Sequence, residues 1–441
     1  MNKQSTLNSP ILIERLSHEG RGIGHVDGKT TFVWGALAKE EVDIQYTRRR
    51  SSYDEANAVN ILQASTDRAT PRCAHFGVCG GCSLQHLKPE AQIAHKQEAF
   101  LELLRHQAGT QPKNLLAPLT ANPWGYRRKA RIGVKYVHKK DKVLVGFRER
   151  DGRFIADLSR CEVLEPSIGQ LISAWSEFIY SLSIRDQIAQ LEVAVTETET
   201  AIIIRHLAPF SAEDLEALKV FGQKNHLKLY LQPKGLDSIH LFYPDDAKIL
   251  LSYSLHEHHL NLEFHPSQFT QVNWEINALM INQALQLLDL KPEDRVLDLF
   301  CGIGNFSLPL CRFVNKVVGV EGDAGSVKQA EKNAALNGIL NAEFYTANLF
   351  ENIKDTTWAQ QNFNKILLDP PRAGAAEIIE QLDQWNPERI VYVSCNPATL
   401  ARDTKLLINQ GYHLEAAGVM DMFPHTEHVE AMCLFTHKEI L

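Results

Sequence analysis

Residues 295–306 read RVLDLFCGIGNF, and this stretch decides the fold. Arg295 to Leu299 is a short apolar run, suited to a strand buried on both faces. Gly302 and Gly304 follow at once, where the chain must turn tightly and let a ligand approach its backbone. Further apolar runs recur between helical stretches: KVVGVEG, AEFYTAN, KILLDPP, RIVYVSC, then HLEAAGVM and EAMCLFTHK. Strands alternating with helices imply a mainly parallel sheet covered on both faces. Residues 266–441 are therefore expected to form a Rossmann-like α/β domain.

Ligands of such sheets sit at the carboxyl ends of the strands. The turn after Asp298 is an acidic DxFxGxG, not the GxGxxG of pyrophosphate binders. It suits a ligand that is cationic, as S-adenosylmethionine (AdoMet) is at sulfur. Glu321 ends the next strand, where a carboxylate can accept from both ribose hydroxyls, and Asn348 ends the third, placed to meet adenine. Two later strand ends are unusual: Asp369-Pro370-Pro371-Arg372 and Ser394-Cys395-Asn396-Pro397. Cys395 leaves its strand into a proline-containing loop and should face the cleft. It is either a small buried apolar group or a nucleophile.

Towards the N-terminus the pattern changes. Residues 11–66 hold four short, partly alternating runs, ILIERLS, TTFVWGAL, EEVDIQYTRR and NAVNILQAS, with the glycine-rich HEGRGIGHVDGK after the first. This fits a small oligonucleotide-binding type of β-barrel within residues 1–68. Arg48, Arg49 and Arg50 read as a solvated, positive loop. Residues 69–265 are expected to form a central, mostly β domain. It opens with a loop at 69–90 and a helical stretch at 91–106, and one more helical stretch runs through SIGQLISAWSEFIYSL.

Cys73, Cys79 and Cys82 share the opening loop. Three close thiols in a reducing compartment point to metal rather than a disulfide. Cys161 is the only other cysteine before residue 266 and the candidate fourth ligand. The spacing fits neither common zinc pattern well, and zinc stays open as the alternative. Residues 124–131, WGYRRKAR, interleave aromatic and basic groups. On a strand they would form a basic face for phosphates with rings for bases. Phe269, in FTQVN, is a candidate platform for a base flipped out of RNA.

The bulk numbers bound the rest. The 441 residues are 44% hydrophobic and 22% charged, which is ordinary for a globular protein. The start, MNKQSTLNSP, lacks the apolar core of a signal peptide, and no apolar run approaches a membrane span of roughly 18 residues. A cytoplasmic protein is expected. The net charge of −7 counts against nucleic acid as a partner unless positive charge is concentrated locally, as it is at 48–50 and 124–131.

The runs LDPPRAG, YVSCNPATLARD and MDMFPHTEHVEAM resemble those of the RNA uracil-C5 methyltransferases, especially members that modify 23S ribosomal RNA. The resemblance extends over nearly the whole chain. It implies an RNA-binding TRAM module at the N-terminus, Cys395 as nucleophile and Glu430 as the base that removes a proton. It also implies AdoMet contacts at Gln271, Phe300, Asn305, Glu321, Asn348 and Asp369, and a [4Fe-4S] cluster on Cys73, Cys79, Cys82 and Cys161. Two prolines follow Asp369 where some relatives have Pro-Ala, a change not expected to touch the chemistry. The chemistry itself asks for these types. Carbon 5 of uracil is too weak a nucleophile to take a methyl group until a thiolate adds at carbon 6, and a base must then remove the carbon-5 proton. The expected partner is 23S ribosomal RNA and the expected state a monomer.

Three alternatives stand. A transfer-RNA target is the nearest, but enzymes of the family with that target lack the TRAM module and the cysteines. An N-methyltransferase would use the Asp-Pro-Pro motif without needing Cys395 or Glu430. A non-catalytic, RNA-binding iron–sulfur protein would need no intact AdoMet pocket. His425 and His428, beside Glu430, read as loop polar groups or RNA contacts rather than a metal pair.

Overall fold

The computed structural model describes residues 10–150 and 152–437. The chain divides into two compact units. One comprises Met1–Ala99, Arg148–Ala156 and Phe423–His428; the other comprises Phe100–Phe147, Asp157–Met422 and Val429–Leu441. The polar start MNKQSTLNS lies outside the described residues. Among those described, no helix is long and apolar enough to cross a membrane.

In the first unit, six strands among the described residues form one sheet. Their order is Ile11–Leu12, Glu41–Arg49, Asp54–Gln63, Lys29–Trp34, Gly22–Val26, Arg15–Leu16. The two edge strands are consecutive in the chain, so the sheet curls onto itself. The Ile13 N–H donates to the Glu40 carbonyl and the Glu14 N–H to that of Ile23, each at 2.8 Å. Val42, Ile44 and Tyr46 alternate inward to meet Ile11, Ile13, Val33, Ala36 and Ala56 in one core.

The glycine-rich stretch expected as turns is half strand. Gly22–Val26 pairs with Lys29–Trp34 across Asp27 and Gly28, both left-handed at φ 50° and 78°. A Cβ on Gly22 would lie 2.8 Å from a methyl of Ile13, and one on Gly24 would lie 2.6 Å from the Leu12 carbonyl oxygen. Glycine stands there because the closing barrel leaves no room for a side chain. That is a tertiary constraint, and periodicity does not register it.

In the second unit, a six-stranded mixed sheet runs His240–Tyr243, Leu227–Gln232, Thr200–His206, Ile188–Val195, Lys129–Val137, Lys142–Gly146 among the described residues. The single helical stretch expected here is interrupted, as Pro166–Gly169 and Ile172–Ser181. A further helix, Ala212–Lys224, lies in the region expected to be strand-rich. Its start is capped by Ser211, whose hydroxyl accepts from the Asp214 N–H at 3.2 Å. The helical stretch 91–106 is Pro89–Leu103, followed by a wider turn to Ala108 that Gly109 ends at φ 69°.

The second sheet of this unit carries the site. Its eight described strands run Ala342–Thr346, Lys316–Glu321, Arg295–Leu299, Lys365–Leu368, Arg389–Ser394, Glu430–His437, Tyr412–Met420, Asn114–Leu115. The first five are parallel. Glu430–His437 is antiparallel to both of its neighbours. The inner strands are apolar on both faces, and Val296, Leu297, Val317, Val318, Ile366, Leu367, Ile390 and Val391 are fully buried. The doubly wound α/β domain expected from residues 295–306 is thus present, with an antiparallel strand returning Glu430 to the ends of the parallel ones.

Candidate active site

Three neighbouring parallel strands carry carboxylates at or next to their carboxyl ends. Asp298 lies inside Arg295–Leu299, is fully buried, and accepts a hydrogen bond from the Ser307 hydroxyl. Burial and the charges of Asp369 and Glu321 push it up to about 7, against the lowering effect of Ser307. Asp369 follows Lys365–Leu368, and burial with the Glu321 charge pushes it up to about 7 as well. Glu321 ends Lys316–Glu321; its carboxylate accepts from the Gly302 N–H at 3.2 Å and the Asp323 N–H at 2.9 Å.

The turn between them is strained where the sequence put its glycines. Phe300 is left-handed at φ 68°, a conformation costly for a side chain of its kind. It is held there because the N–H groups of Phe300 and Cys301 both donate to the Val320 carbonyl, at 2.8 and 3.1 Å. A Cβ on Gly302 would meet nothing within 4 Å, so this backbone faces open space. The Phe300 ring lies 5.9 Å from that of Phe350, which is half-exposed.

Asn348 is exposed, accepts from the Phe350 N–H at 3.1 Å and donates to Glu351 at 2.7 Å. Asn305 has its amide engaged: it exchanges two hydrogen bonds with Asn277, at 2.8 and 3.0 Å, and accepts from the Tyr253 hydroxyl at 3.0 Å. Gln271 is half-buried just before the helix Trp274–Leu288. An acidic, glycine-floored pocket with a ring and an amide fits a cation that carries a ribose and an adenine. The residue types present therefore suit AdoMet.

Cys395 and Glu430 stand on the next two strands of the sheet. Cys395 follows Arg389–Ser394 and is half-buried. Glu430 opens Glu430–His437 and is buried; Ala431 pairs with Ser394, so the carboxylate starts its strand beside the cysteine. Burial and the charges of Glu430 and Asp369 push the Cys395 thiol up to about 11. The charge of Arg372 and a hydrogen bond from its side chain act the other way. Arg372 was visible in the Asp-Pro-Pro-Arg motif but carried no expected role.

The loop that carries Arg372 is tied down from both sides. Its carbonyl accepts from the Asn396 amide at 3.0 Å and the Thr399 hydroxyl at 3.3 Å. Asn396 also caps the helix Pro397–Asn409, accepting from the Ala398 N–H at 3.2 Å. Buried Asp403, on that helix, accepts from the Ala375 N–H at 2.8 Å and the Tyr392 hydroxyl at 2.6 Å. Gly374, at φ 86°, passes so close to Asp403 that a Cβ would lie 2.5 Å from its carboxylate. Asp403 thereby joins the strand before Cys395 to the loop after Asp369, and nothing in the sequence marked it.

One expectation needs correction, and another is narrowed. WGYRRKAR is not a strand presenting a basic face, because the strand begins only at Lys129. The Arg128 guanidinium lies 4.6 Å over the Trp274 ring and donates to the Thr196 carbonyl at 3.0 Å, and Lys129 is likewise bonded inward. Of the basic groups in this run, Arg131 is the most outward, 3.3 Å from Glu192. Of the two readings given for His425, the loop polar group holds and the RNA contact does not. It is 2% exposed, its N–H donates to the Gln92 side chain at 2.8 Å, and its carbonyl accepts from the N–H groups of Ser83 and Leu84, each at 2.9 Å. These bonds lock its loop within the first unit. Phe269, by contrast, is 71% exposed, as a stacking platform requires.

The thiols of the 69–90 loop are half-buried. The Cys73 N–H donates to Gln85 at 3.1 Å, and the Gly81 N–H donates to the Cys79 sulfur at 3.4 Å. Cys161, in the second unit, donates its N–H to the Gly169 carbonyl at 2.8 Å. Among the described residues, no group of three or more Cys, His, Asp or Glu side chains is placed to hold a metal ion.

Comparisons agree with this geometry. The sequence model of the family described as tRNA (Uracil-5-)-methyltransferase matches residues 214–438, and that of the TRAM domain matches residues 9–59. The chain is 49% identical over 425 residues to the 23S rRNA (uracil(1939)-C(5))-methyltransferase RlmD of Legionella pneumophila (strain Lens), covering 96% of each chain. It is 50% identical over 429 residues to the protein of the same name from Francisella tularensis subsp. novicida, covering 96% of this chain and 95% of the relative. Among solved structures, it resembles the Pyrococcus abyssi tRNA (uracil-54, C5)-methyltransferase in complex with S-adenosyl-L-homocysteine. That likeness has a TM-score of 0.74 at 22% identity and covers 97% of this chain and 100% of the other, which establishes the fold.

Proposed function

The chain belongs to the family of uracil-5 RNA methyltransferases, and from that premise we propose that it converts one uridine of 23S ribosomal RNA to 5-methyluridine through a covalent adduct on Cys395. The observation that carries the reading is the pairing of Cys395 with Glu430 at adjacent strand ends, next to the acidic pocket of Asp298, Glu321 and Asp369. The relatives at 49% and 50% identity over 96% of the chain are named for 23S ribosomal RNA, whereas the transfer-RNA enzyme that covers 97% of it is only 22% identical, which favours the ribosomal substrate.

AdoMet, held by Gln271, Phe300, Asn305, Glu321, Asn348 and Asp369, would supply an electrophilic methyl group. The chain's own residues do the rest. Cys395 loses its proton with help from the Arg372 guanidinium and adds to carbon 6 of the uracil. The electron pair moves toward carbon 5, which then takes the methyl group. Glu430 removes the proton from carbon 5, the pair re-forms the ring double bond, and the thiolate leaves. Phe269 stacks on the extruded base.

We further assign residues 1–68, 69–265 and 266–441 to RNA binding, cluster binding and methyl transfer. We expect a monomer in the cytoplasm. Cys73, Cys79, Cys82 and Cys161 are the assigned ligands of a [4Fe-4S] cluster with a structural role. An all-thiol donor set suits iron–sulfur ligation, and the N–H directed at the Cys79 sulfur is of the kind that tunes it. The assignment rests on the residue types and on the family resemblance; no such group is gathered among the described residues. Protein prepared without oxygen should hold about four irons per chain. Stoichiometric zinc without iron would overturn the assignment.

The mechanism is tested with Glu430→Gln. The thiolate should still add and the methyl group should still transfer, but elimination should fail. A denaturing gel should then show RNA covalently joined to protein and carrying label from AdoMet. Normal turnover with no adduct would mean that another group is the base. Cys395→Ala should bind both substrates and give no product.

A further inference from the structure

Lys129 begins the strand Lys129–Val137, yet its side chain turns inward. Its ammonium donates to the Pro266 carbonyl at 2.9 Å and also to the Gln268 carbonyl. Both carbonyls lie just before Phe269 and Gln271 in the chain. The neighbouring Arg128 N–H donates to the Val272 carbonyl at 2.9 Å. From the other side, the Gln268 amide reaches the Gly325 carbonyl at 3.4 Å. Residues 265–273 thus form a strap beside the pocket, held between the Arg128-Lys129 pair and the helix Ala324–Leu336 that follows Glu321.

The charge is needed where it sits. Two backbone carbonyls converge on one small donor, and a compact ammonium has three hydrogens to give them. A neutral side chain would leave both carbonyls short of a partner in a half-buried place. Meanwhile Phe269 projects from the strap 71% exposed, so its direction depends on how the strap is held.

We propose that Lys129 is a positioning residue for methyl transfer: by pinning the carbonyls of Pro266 and Gln268 it fixes the strap that presents Phe269 to the target base and Gln271 to the cofactor. This rests on the uracil-5 reading above. Burial pushes Lys129 down to about 8, opposed by the Glu192 charge and assisted by Arg131, and His265 is the other titratable group beside it. Its hold, strongest when charged, should therefore weaken as the pH rises past about 8.

The test compares wild type, Lys129→Met, Lys129→Arg, Phe269→Ala and the Lys129→Met/Phe269→Ala double variant on a 23S RNA fragment with labelled AdoMet. Lys129→Met should lower kcat/KM for RNA about tenfold or more at pH 7, and Lys129→Arg should recover most of it. In the Phe269→Ala background, Lys129→Met should cost much less, because both changes spoil the same presentation. Fully additive losses, or wild-type kinetics in Lys129→Met, would overturn the proposal. Should Lys129→Met not fold, the pH profile of Lys129→Arg decides. An arginine stays charged, so the fall in kcat/KM above about pH 8 expected of wild type, once the rise from Cys395 ionisation common to both proteins is divided out, should vanish in Lys129→Arg. An unchanged fall would refute the role. Failure of wild type itself to methylate the RNA would instead refute the uracil-5 reading, and this proposal with it.

Discussion

Cys395, the proposed nucleophile, stands in surroundings that keep its proton on. Burial raises its pKa first, then the carboxylates of Glu430 and Asp369, and Arg372 only partly offsets them. A thiol held at about 11 is almost wholly protonated at neutral pH, whereas a free cysteine titrates near about 8.5. At a fixed pH below its pKa, a thiol loses thiolate about tenfold for every whole number by which that pKa is raised. Replacing Glu430 with Gln removes a like charge, so the thiol should titrate lower and react faster with iodoacetamide. Replacing Arg372 with Gln removes the positive charge that favours the thiolate, so the reaction should slow. Both rates should rise with pH toward about 11, and mass spectrometry of the Cys395 peptide would separate this thiol from the other seven. Equal alkylation rates in wild type and both variants would show that these charges do not control the nucleophile.

At the level of elements, the pocket is a consequence of parallel strands that end together. Asp298, Glu321 and Asp369 come from three adjacent strands, and burial first, then the neighbouring carboxylate charges, pushes Asp298 and Asp369 up to about 7. A cationic ligand favours the ionised forms, so binding should push protons off. Calorimetry of AdoMet binding at about pH 6.5, just below where both carboxyls titrate, in buffers of different ionisation enthalpy should show net proton release. S-adenosyl-L-homocysteine has no sulfonium charge and should release fewer protons. Equal release by the two ligands would mean that the carboxylates do not sense the sulfonium. The strands themselves were legible because buried parallel strands read as unbroken apolar runs, and Cys395 and Asp369 were legible because they end such runs before prolines. The helix Ala212–Lys224 was not legible because its sequence, AEDLEALKVFGQK, is polar enough to pass for loop within a strand-rich region. The roles of Lys129, Arg128 and Asp403 were hidden for a different reason. A charged residue looks like surface in a sequence, and only tertiary structure shows that its partners are internal carbonyls, a ring or a hydroxyl.

For the whole molecule, a net charge of −7 must be reconciled with a polyanionic substrate, so binding has to come from concentrated positive charge. With Arg128 and Lys129 committed internally, the barrel becomes the stronger source. Arg48, Arg49 and Arg50 are exposed at the end of the strand Glu41–Arg49. Two of them are also backed by rings: Arg49 lies 4.5 Å from the Tyr46 ring centroid and Arg50 5.4 Å from that of Tyr53. Arg21 lies 4.7 Å over Phe32, whose ring meets Tyr53 edge-on at 5.5 Å. Such stacking orders the guanidinium groups while leaving donors for phosphates. Asp54 lies at ion-pair range of Arg49, at 3.6 Å, and closer to Lys29 at 2.7 Å, while Glu19 and Glu55 lie at ion-pair range of Arg21. Changing Arg48, Arg49 and Arg50 to Ala in the full chain should therefore weaken RNA binding strongly at low salt and little at high salt. If all three meet phosphates, the slope of log affinity against log salt should fall by about 2, at about 0.7 per contact for a single strand. AdoMet affinity should not change, because none of the three belongs to the pocket. The thermal midpoint should move only slightly, since these groups are solvated and their ring contacts are each worth about 0.5–1 kcal/mol. Filter binding across a salt series, with calorimetry for AdoMet, measures all of this. An unchanged slope would mean that the arginines only decorate the barrel and that the RNA is gripped elsewhere.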